Sequence, residues 1–177
     1  KLVNIAADHL AACGYTEIMS NSLTKASYYE GLTSYKAENS VRIMNPLSAD
    51  LNVMRQTLLF NVLEAVELNV NHRNADLKLF ELGNCYYFNP EVEVEENPLA
   101  RYSEKYRIAI AVTGLDAQPS WNVKAAGASF FTLRATVEKL LRRFGIDIYT
   151  LRSEPSQSDL YSDGIVYMQG TKPVIEL

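Results

Sequence analysis

Apolar residues recur at three- and four-residue spacing at the start of the chain: Val3, Ala6, Ala7, Leu10 and Ala11. With Gly14 placed where a helix-ending glycine belongs, the pattern predicts an amphipathic first helix. "YTEIMSNSL", Tyr15 to Leu23, then reads as a strand by its Thr, Ile and Met content, although its alternation is blurred. Thr24 is placed to cap a short helix "KASYYEGL", and "VRIM", Val41 to Met44, reads as a strand ended by the Asn45-Pro46 turn. From Thr57 to Asn71 the spacing predicts a helix with Leu58, Leu59, Val62, Leu63 and Val66 on one face and Glu64 and Glu67 on another.

The second half opens with the clearest strand pattern. In "DLKLFELGNCYYF", Asp76 to Phe88, both alternating faces are largely apolar, which predicts a central strand covered on both sides. "YRIAIAVTGL", Tyr106 to Leu115, predicts a long antiparallel neighbour. A loop from Asp116 to Ser129 carries Trp121, the only tryptophan. Phe130 to Phe144 follows helical spacing through Leu133, Val137, Leu140, Leu141 and Phe144, with Lys139, Arg142 and Arg143 near its end and Gly145 closing it. Strands follow at Ile146 to Arg152, Gly164 to Gln169 and Val174 to Leu177, the last two joined by a tight turn at "GTKP".

Consecutive strands without crossover helices favour antiparallel pairing, so the order of elements predicts an α+β fold: an antiparallel sheet flanked by helices. The 177 residues suit one domain, 1–177, with a real core. Lys1 opens the chain without an initiator Met, and "GTKPVIEL" reads as a strand still in progress. The expectation is a fragment of a longer protein, short of its C-terminal end.

Composition removes several function classes. The apolar runs are too short to span a bilayer, so no membrane role is expected. A net charge of -4 with no basic stripe argues against a large nucleic-acid footprint on this domain, because phosphate neutralisation supplies most of such affinity. The acidic run "EVEVEENP", Glu91 to Pro98, reads as a solvated loop. Cys13 and Cys85 sit in apolar surroundings that suit buried, reduced thiols and a cytoplasmic setting, and with His9 and His72 in unrelated contexts they supply no metal site.

Candidate chemistry is sparse. The glycines form neither a Walker loop nor G-x-G-x-x-G, and no G-x-S-x-G nucleophile motif occurs. Asp8 and His9 are adjacent on a helix and do not face each other, which favours a surface pair over a proton relay. Arg55, just ahead of an apolar helix, is either a catalytic cation at the mouth of a site or the polar end of a packed helix. Glu81 is either a general base or the partner of an arginine, and Arg55 is available. Trp121 and Asn122 stand in a polar loop, where a tryptophan anchors the loop on its own domain or buries against a partner; the first reading is favoured.

Five stretches, in order along the chain, together resemble the beta subunit of bacterial phenylalanine–tRNA ligase in its catalytic-like domain. They are "LAACGYTEIMSNSL", "IMNPLSADLNVMRQTLL", "NADLKLFELGNCYYF", "SWN" with "FFTLRATVEKLL", and "LYSDGIVYMQG". The resemblance implies a class II aminoacyl-tRNA synthetase fold. Val3 to Leu23, including Leu10, would correspond to motif 1, where a helix and strand build a subunit interface. Arg55 and Asp76 to Phe88 would fall near motif 2, which binds ATP and the amino acid in active members. It further implies that the alpha subunit holds the aminoacylation site and that two alpha and two beta subunits form a heterotetramer.

This chain departs from the pattern at Phe60-Asn61, where the family usually has Pro-Gly, and at Tyr161-Ser162-Asp163-Gly164, where a His-Pro-Gly-like turn is common. Asp76 to Phe88 contains no arginine and no motif 3 arginine appears in a Gly-rich context. The resemblance therefore implies a non-catalytic domain that docks alpha, with ATP, magnesium and tRNA engaged by the holoenzyme only. Two alternatives stay open: an active class II ligase core binding ATP near Arg55 and Glu81, and a stand-alone interaction module. Structural and interface candidates are Arg55, Glu81, Asn45, Pro46, Trp121, Asn122, Leu10 and Val3.

Overall fold

The computed structural model describes residues 1–93 and 97–177. Three α-helices, α1 Leu2–Ala12, α2 Leu59–Asn71 and α3 Phe130–Arg143, pack with short 3₁₀ turns around small sheets. The strands are β1 Thr16–Glu17, β2 Leu23–Thr24, β3 Val53–Met54, β4 Leu77–Phe88, β5 Tyr102–Thr113, β6 Leu115–Ala117, β7 Ala126–Gly127, β8 Arg152–Pro155, β9 Ile165–Gln169 and β10 Lys172–Glu176.

The long strand is central, as its two apolar faces predict. β4 lies between β1 and β5, and pairs with β5 in unbroken antiparallel register from Leu77↔Thr113 to Phe88↔Tyr102. One face carries Phe80 and Leu82 into a core with Ala6 and Leu10 of α1, Tyr15, and Leu140 of α3. The Tyr15 hydroxyl, 2.9 Å from Thr136 Oγ1, gives that core its internal polar link. α3 also turns Val137 and Leu141 toward Ile148 and Tyr167, which seats it on the second sheet, β10-β9-β8. Ser129 caps α3 by accepting from the Thr132 amide, and Arg142 and Arg143 lie in its last turn, against the negative end of the helix dipole.

Several local expectations are corrected. The predicted strand Tyr15 to Leu23 is two fragments, β1 and β2, because Met19 points into solvent and the Asn21 side chain accepts from the Leu23 amide to form a turn. β1 pairs with β4 in parallel, not antiparallel, since the chain travels through β2, β3 and α2 before returning in the same direction. Val41 to Met44 makes a single bridge, Arg42↔Val53. Thr24 caps no helix: it lies in β2, and the Ala26 amide that opens the 3₁₀ turn Ala26–Tyr29 donates to Asn52 Oδ1 at 2.9 Å. α2 begins at Leu59, where the amide donates to Thr57 Oγ1 at 3.2 Å. Ile146 to Arg152 holds a 3₁₀ turn, Ile148–Thr150, capped by Asp147, and the strand starts only at Arg152.

The loop Asp116 to Ser129 contains the small ribbon β6–β7. The hairpin β9–β10 turns at Gly170, whose φ of +63° explains the "GTKP" signal. Part of the acidic run, Val94 to Glu96, lies outside the described residues. Among the described residues no helix is long and apolar enough to cross a membrane.

Candidate functional site

The second face of β4 presents Leu79, Glu81, Gly83 and Cys85, and the segment after β3 lays Arg55 across it. Arg55 is pinned by its backbone, donating to the Ser22 carbonyl at 2.9 Å and accepting from the Tyr86 amide at 2.8 Å. Its side chain is 4% exposed and Glu81 is 1% exposed. Arg55 Nη1 lies 2.6 Å from Glu81 Oε1 and 2.9 Å from Ser20 Oγ, while Nε donates to the Asn84 carbonyl at 2.9 Å. The Ser20 hydroxyl lies 2.7 Å from both Glu81 oxygens, so the carboxylate is bridged from two sides.

Gly83 makes this arrangement possible, because a Cβ there would stand 2.3 Å from Arg55 Nη2. The guanidinium occupies the place of the missing side chain. Next to it Gln56, 1% exposed, donates its amide to the Tyr29 hydroxyl at 2.9 Å and its side chain to Ser40 Oγ and the Lys36 carbonyl. The Cys85 thiol beside them is pushed up to about 11 by burial, which makes it a packing group rather than a nucleophile. Cys13 is only partly buried, with Sγ 3.8 Å from His9 Nε2, and differs in that respect from the sequence expectation.

The centre of the sheet face is therefore filled. Arg55 and Glu81 are buried against each other rather than turned toward an open pocket. Toward the end of β4 a cleft of about 440 Å³ opens over Tyr87, Lys105 and Arg107. Ser34, Tyr35, Val166 of β9 and Pro173 of β10 are among the residues that wall it.

A strap closes one edge of that cleft. Asp159 accepts from the Thr33 amide at 2.5 Å, the Thr33 hydroxyl at 3.0 Å and the Ser34 amide at 3.2 Å, joining segments far apart in the chain. These bonds, the Thr33 amide first, hold its carboxyl well below the usual carboxylate range. A pKa depressed in the folded state means the strap's contribution is whole above about pH 4, where an unfolded aspartate is ionised, and is lost as pH falls further. The Thr33 and Ser34 amide chemical shifts should stay constant from pH 7 to about 4 and move only below it; a midpoint at or above that value would contradict the strap.

The other sequence candidates are dispersed. Leu10 is fully buried in the α1 core, whereas Val3 on the same helix is exposed. Asn45 and Pro46 lie in an exposed bend beside Leu47, which has no cover from the described residues. Trp121 is 96% exposed, so it does not anchor its loop on this domain; the Asn122 side chain beside it accepts from the Ser120 hydroxyl. Sequence reading missed Ser20, Gln56 and the cleft pair Lys105 and Arg107. The isolated Gly83 inside a strand was the available signal for a close approach, and the i,i+2 spacing of the two cations was the signal for a shared face.

A family model described as the phenylalanyl tRNA synthetase beta chain CLM domain matches residues 1–167. The chain belongs to that family. Relatives named phenylalanine–tRNA ligase beta subunit include that of Bacteroides fragilis, 47% identical over 93% of this chain, and that of Porphyromonas gingivalis, 42% identical over 93%. The chain spans about a fifth of the length of these curated relatives, 20% in each case. Among solved structures, a pyrrolysyl tRNA synthetase from Desulfitobacterium hafniense superposes with a TM-score of 0.63 at 15% identity, covering 99% of this chain and 56% of that one. At that identity the likeness speaks for the fold alone. The fold is that of the class II synthetases, as the resemblance implied, and in this chain a buried ion pair lies at the centre of the sheet face.

Proposed function

We propose that this chain is the non-catalytic core domain of a phenylalanine–tRNA ligase beta subunit. Its task is to dock the catalytic alpha subunit, in a heterotetramer of two alpha and two beta subunits, while alpha attaches phenylalanine to tRNA with ATP and magnesium. The domain holds no cofactor of its own, meets tRNA through the holoenzyme, and works in the cytoplasm. The observation that carries this reading is the fate of Arg55: the arginine leading toward β4 is consumed by Glu81, Ser20 and the Asn84 carbonyl, and β4 itself has none. Neither is left to hold the phosphates of ATP.

The docking surface is drawn from exposed residues rather than from the ion pair. Trp121 with Asn122, the bend at Asn45 and Pro46, and Val3 offer apolar or hydrogen-bonding groups with solvent around them, and an exposed tryptophan is the kind of group that carries binding energy at an interface. Measurement of ATP-dependent pyrophosphate exchange with phenylalanine should give no turnover for the beta subunit alone and turnover once alpha is added. Turnover without alpha overturns the proposal, and a full-length protein that never co-purifies with alpha favours the stand-alone module.

A further inference from the structure

The cleft at the end of β4 is chemically unlike the rest of the sheet face. Lys105 and Arg107 stand opposite Cys85 and Gly83 in the β4–β5 register, so both lie on the Arg55 side, about 7 Å apart at their Cα atoms. Arg55 is neutralised by Glu81, but among the described residues neither Lys105 nor Arg107 has a carboxylate within ion-pair distance. The Lys105 ammonium rests over the Tyr87 ring, 5.2 Å from its centroid, which holds it at the cleft instead of letting it trail into solvent. Among the described residues Glu176 is the one acid in the lining, and its carboxylate accepts from the Ser156 hydroxyl.

Two cations face one engaged acid, with hydroxyl donors at Ser34 and Ser158 fixed on the rim by the Asp159 strap. The 440 Å³ is too large for an oxyanion alone, and Tyr35, Val166 and Pro173 add a ring and aliphatic surface to the lining; cavities of a few hundred Å³ with convergent polar groups suit small organic ligands. We propose that this cleft binds a phosphate monoester carried on a ring-sized organic group, with Lys105 and Arg107 taking the phosphate and the Tyr35, Val166 and Pro173 wall taking the ring. Such a group comes either from a small metabolite or from the terminal phosphate of an RNA strand. The site is independent of the alpha-docking reading, since it uses none of those surface residues.

Calorimetric titration of the full-length protein with phenyl phosphate tests it. Binding is expected for the wild-type protein, with an affinity at least tenfold lower in the Lys105→Gln/Arg107→Gln variant at an unchanged thermal midpoint, and no binding of phenol. Equal affinity in the two proteins, or no heat from phenyl phosphate at millimolar concentration, overturns the proposal. Val166→Asp, which places a carboxylate in the wall without removing either cation, should lower the affinity in the same way; an unchanged affinity there also overturns it. A 5′-phosphorylated oligoribonucleotide that binds tenfold more tightly than phenyl phosphate, while its 5′-hydroxyl counterpart does not, assigns the ligand to an RNA end; equal or weaker binding assigns it to a small molecule.

Discussion

Arg55→Ala is expected to lower the unfolding free energy of the chain by about 3–5 kcal/mol, the cost of leaving one member of a buried ion pair without its partner. The Glu81 carboxylate, 1% exposed, would keep only Ser20, and the Asn84 carbonyl would lose its donor. Arg55 also joins three segments, the β1–β2 connection through Ser20 and Ser22, β4 through Glu81 and Asn84, and the start of α2 that follows it. Losing it should therefore loosen α2 against the sheet as well. Urea denaturation of the wild type and the variant measures the difference. The apolar double variant Arg55→Met/Glu81→Leu should recover most of the loss, because replacing both charges removes the desolvation cost along with the attraction. An Arg55→Ala protein within about 1 kcal/mol of wild type, an ordinary surface value, would show that the pair does not clamp the domain. A loss of aminoacylation in the assembled enzyme, with stability and assembly both intact, would point instead to a catalytic cation.

Residues whose patterns repeat were legible in the sequence, and residues that act once were not. Helices α1 and α3 and strands β4 and β5 announce themselves because burial on one or two faces forces a period of 3.6 or 2 over ten or more positions. The pattern from Tyr15 to Met44 suggests strand, helix and strand, whereas the order there comes from single side chains. Asn21 and Asn52 bind nearby amides, the Tyr29 hydroxyl accepts from Gln56, and Gln56 reaches Lys36 and Ser40. None of these bonds leaves a period. The pairing of Arg55 with Glu81 could be suggested because opposite charges ahead of and within a buried strand need each other, but its third and fourth members, Ser20 and Gly83, depend on the return path of the chain. A tryptophan in a polar loop packs on its own domain when the loop folds back; here the loop is closed at its base by β6 and β7, and Trp121 is 96% exposed.

Gly83→Ala is expected to be nearly as damaging as losing the arginine, although it adds one methyl group to a strand. The new Cβ would lie 2.3 Å from Arg55 Nη2 and 3.3 Å from Leu58 Cδ2. A long exposed side chain would swing aside at little cost, but Arg55 is held by Glu81, Ser20 and the Asn84 carbonyl, and its backbone is bonded on both sides. Something must then give. Either the guanidinium leaves the carboxylate or β4 moves away from the Arg55 segment; forcing a methyl group into a packed interior costs about 1–3 kcal/mol and a broken buried pair adds to it. The two sites act on one object, so their effects should not add. In a double-mutant cycle Gly83→Ala should cost much less once Arg55 is alanine, with a coupling energy of about 0.5–3 kcal/mol. Additive losses would mean that the methyl group is rejected by Leu58 and the sheet itself, and that the missing side chain at Gly83 serves the strand rather than the arginine.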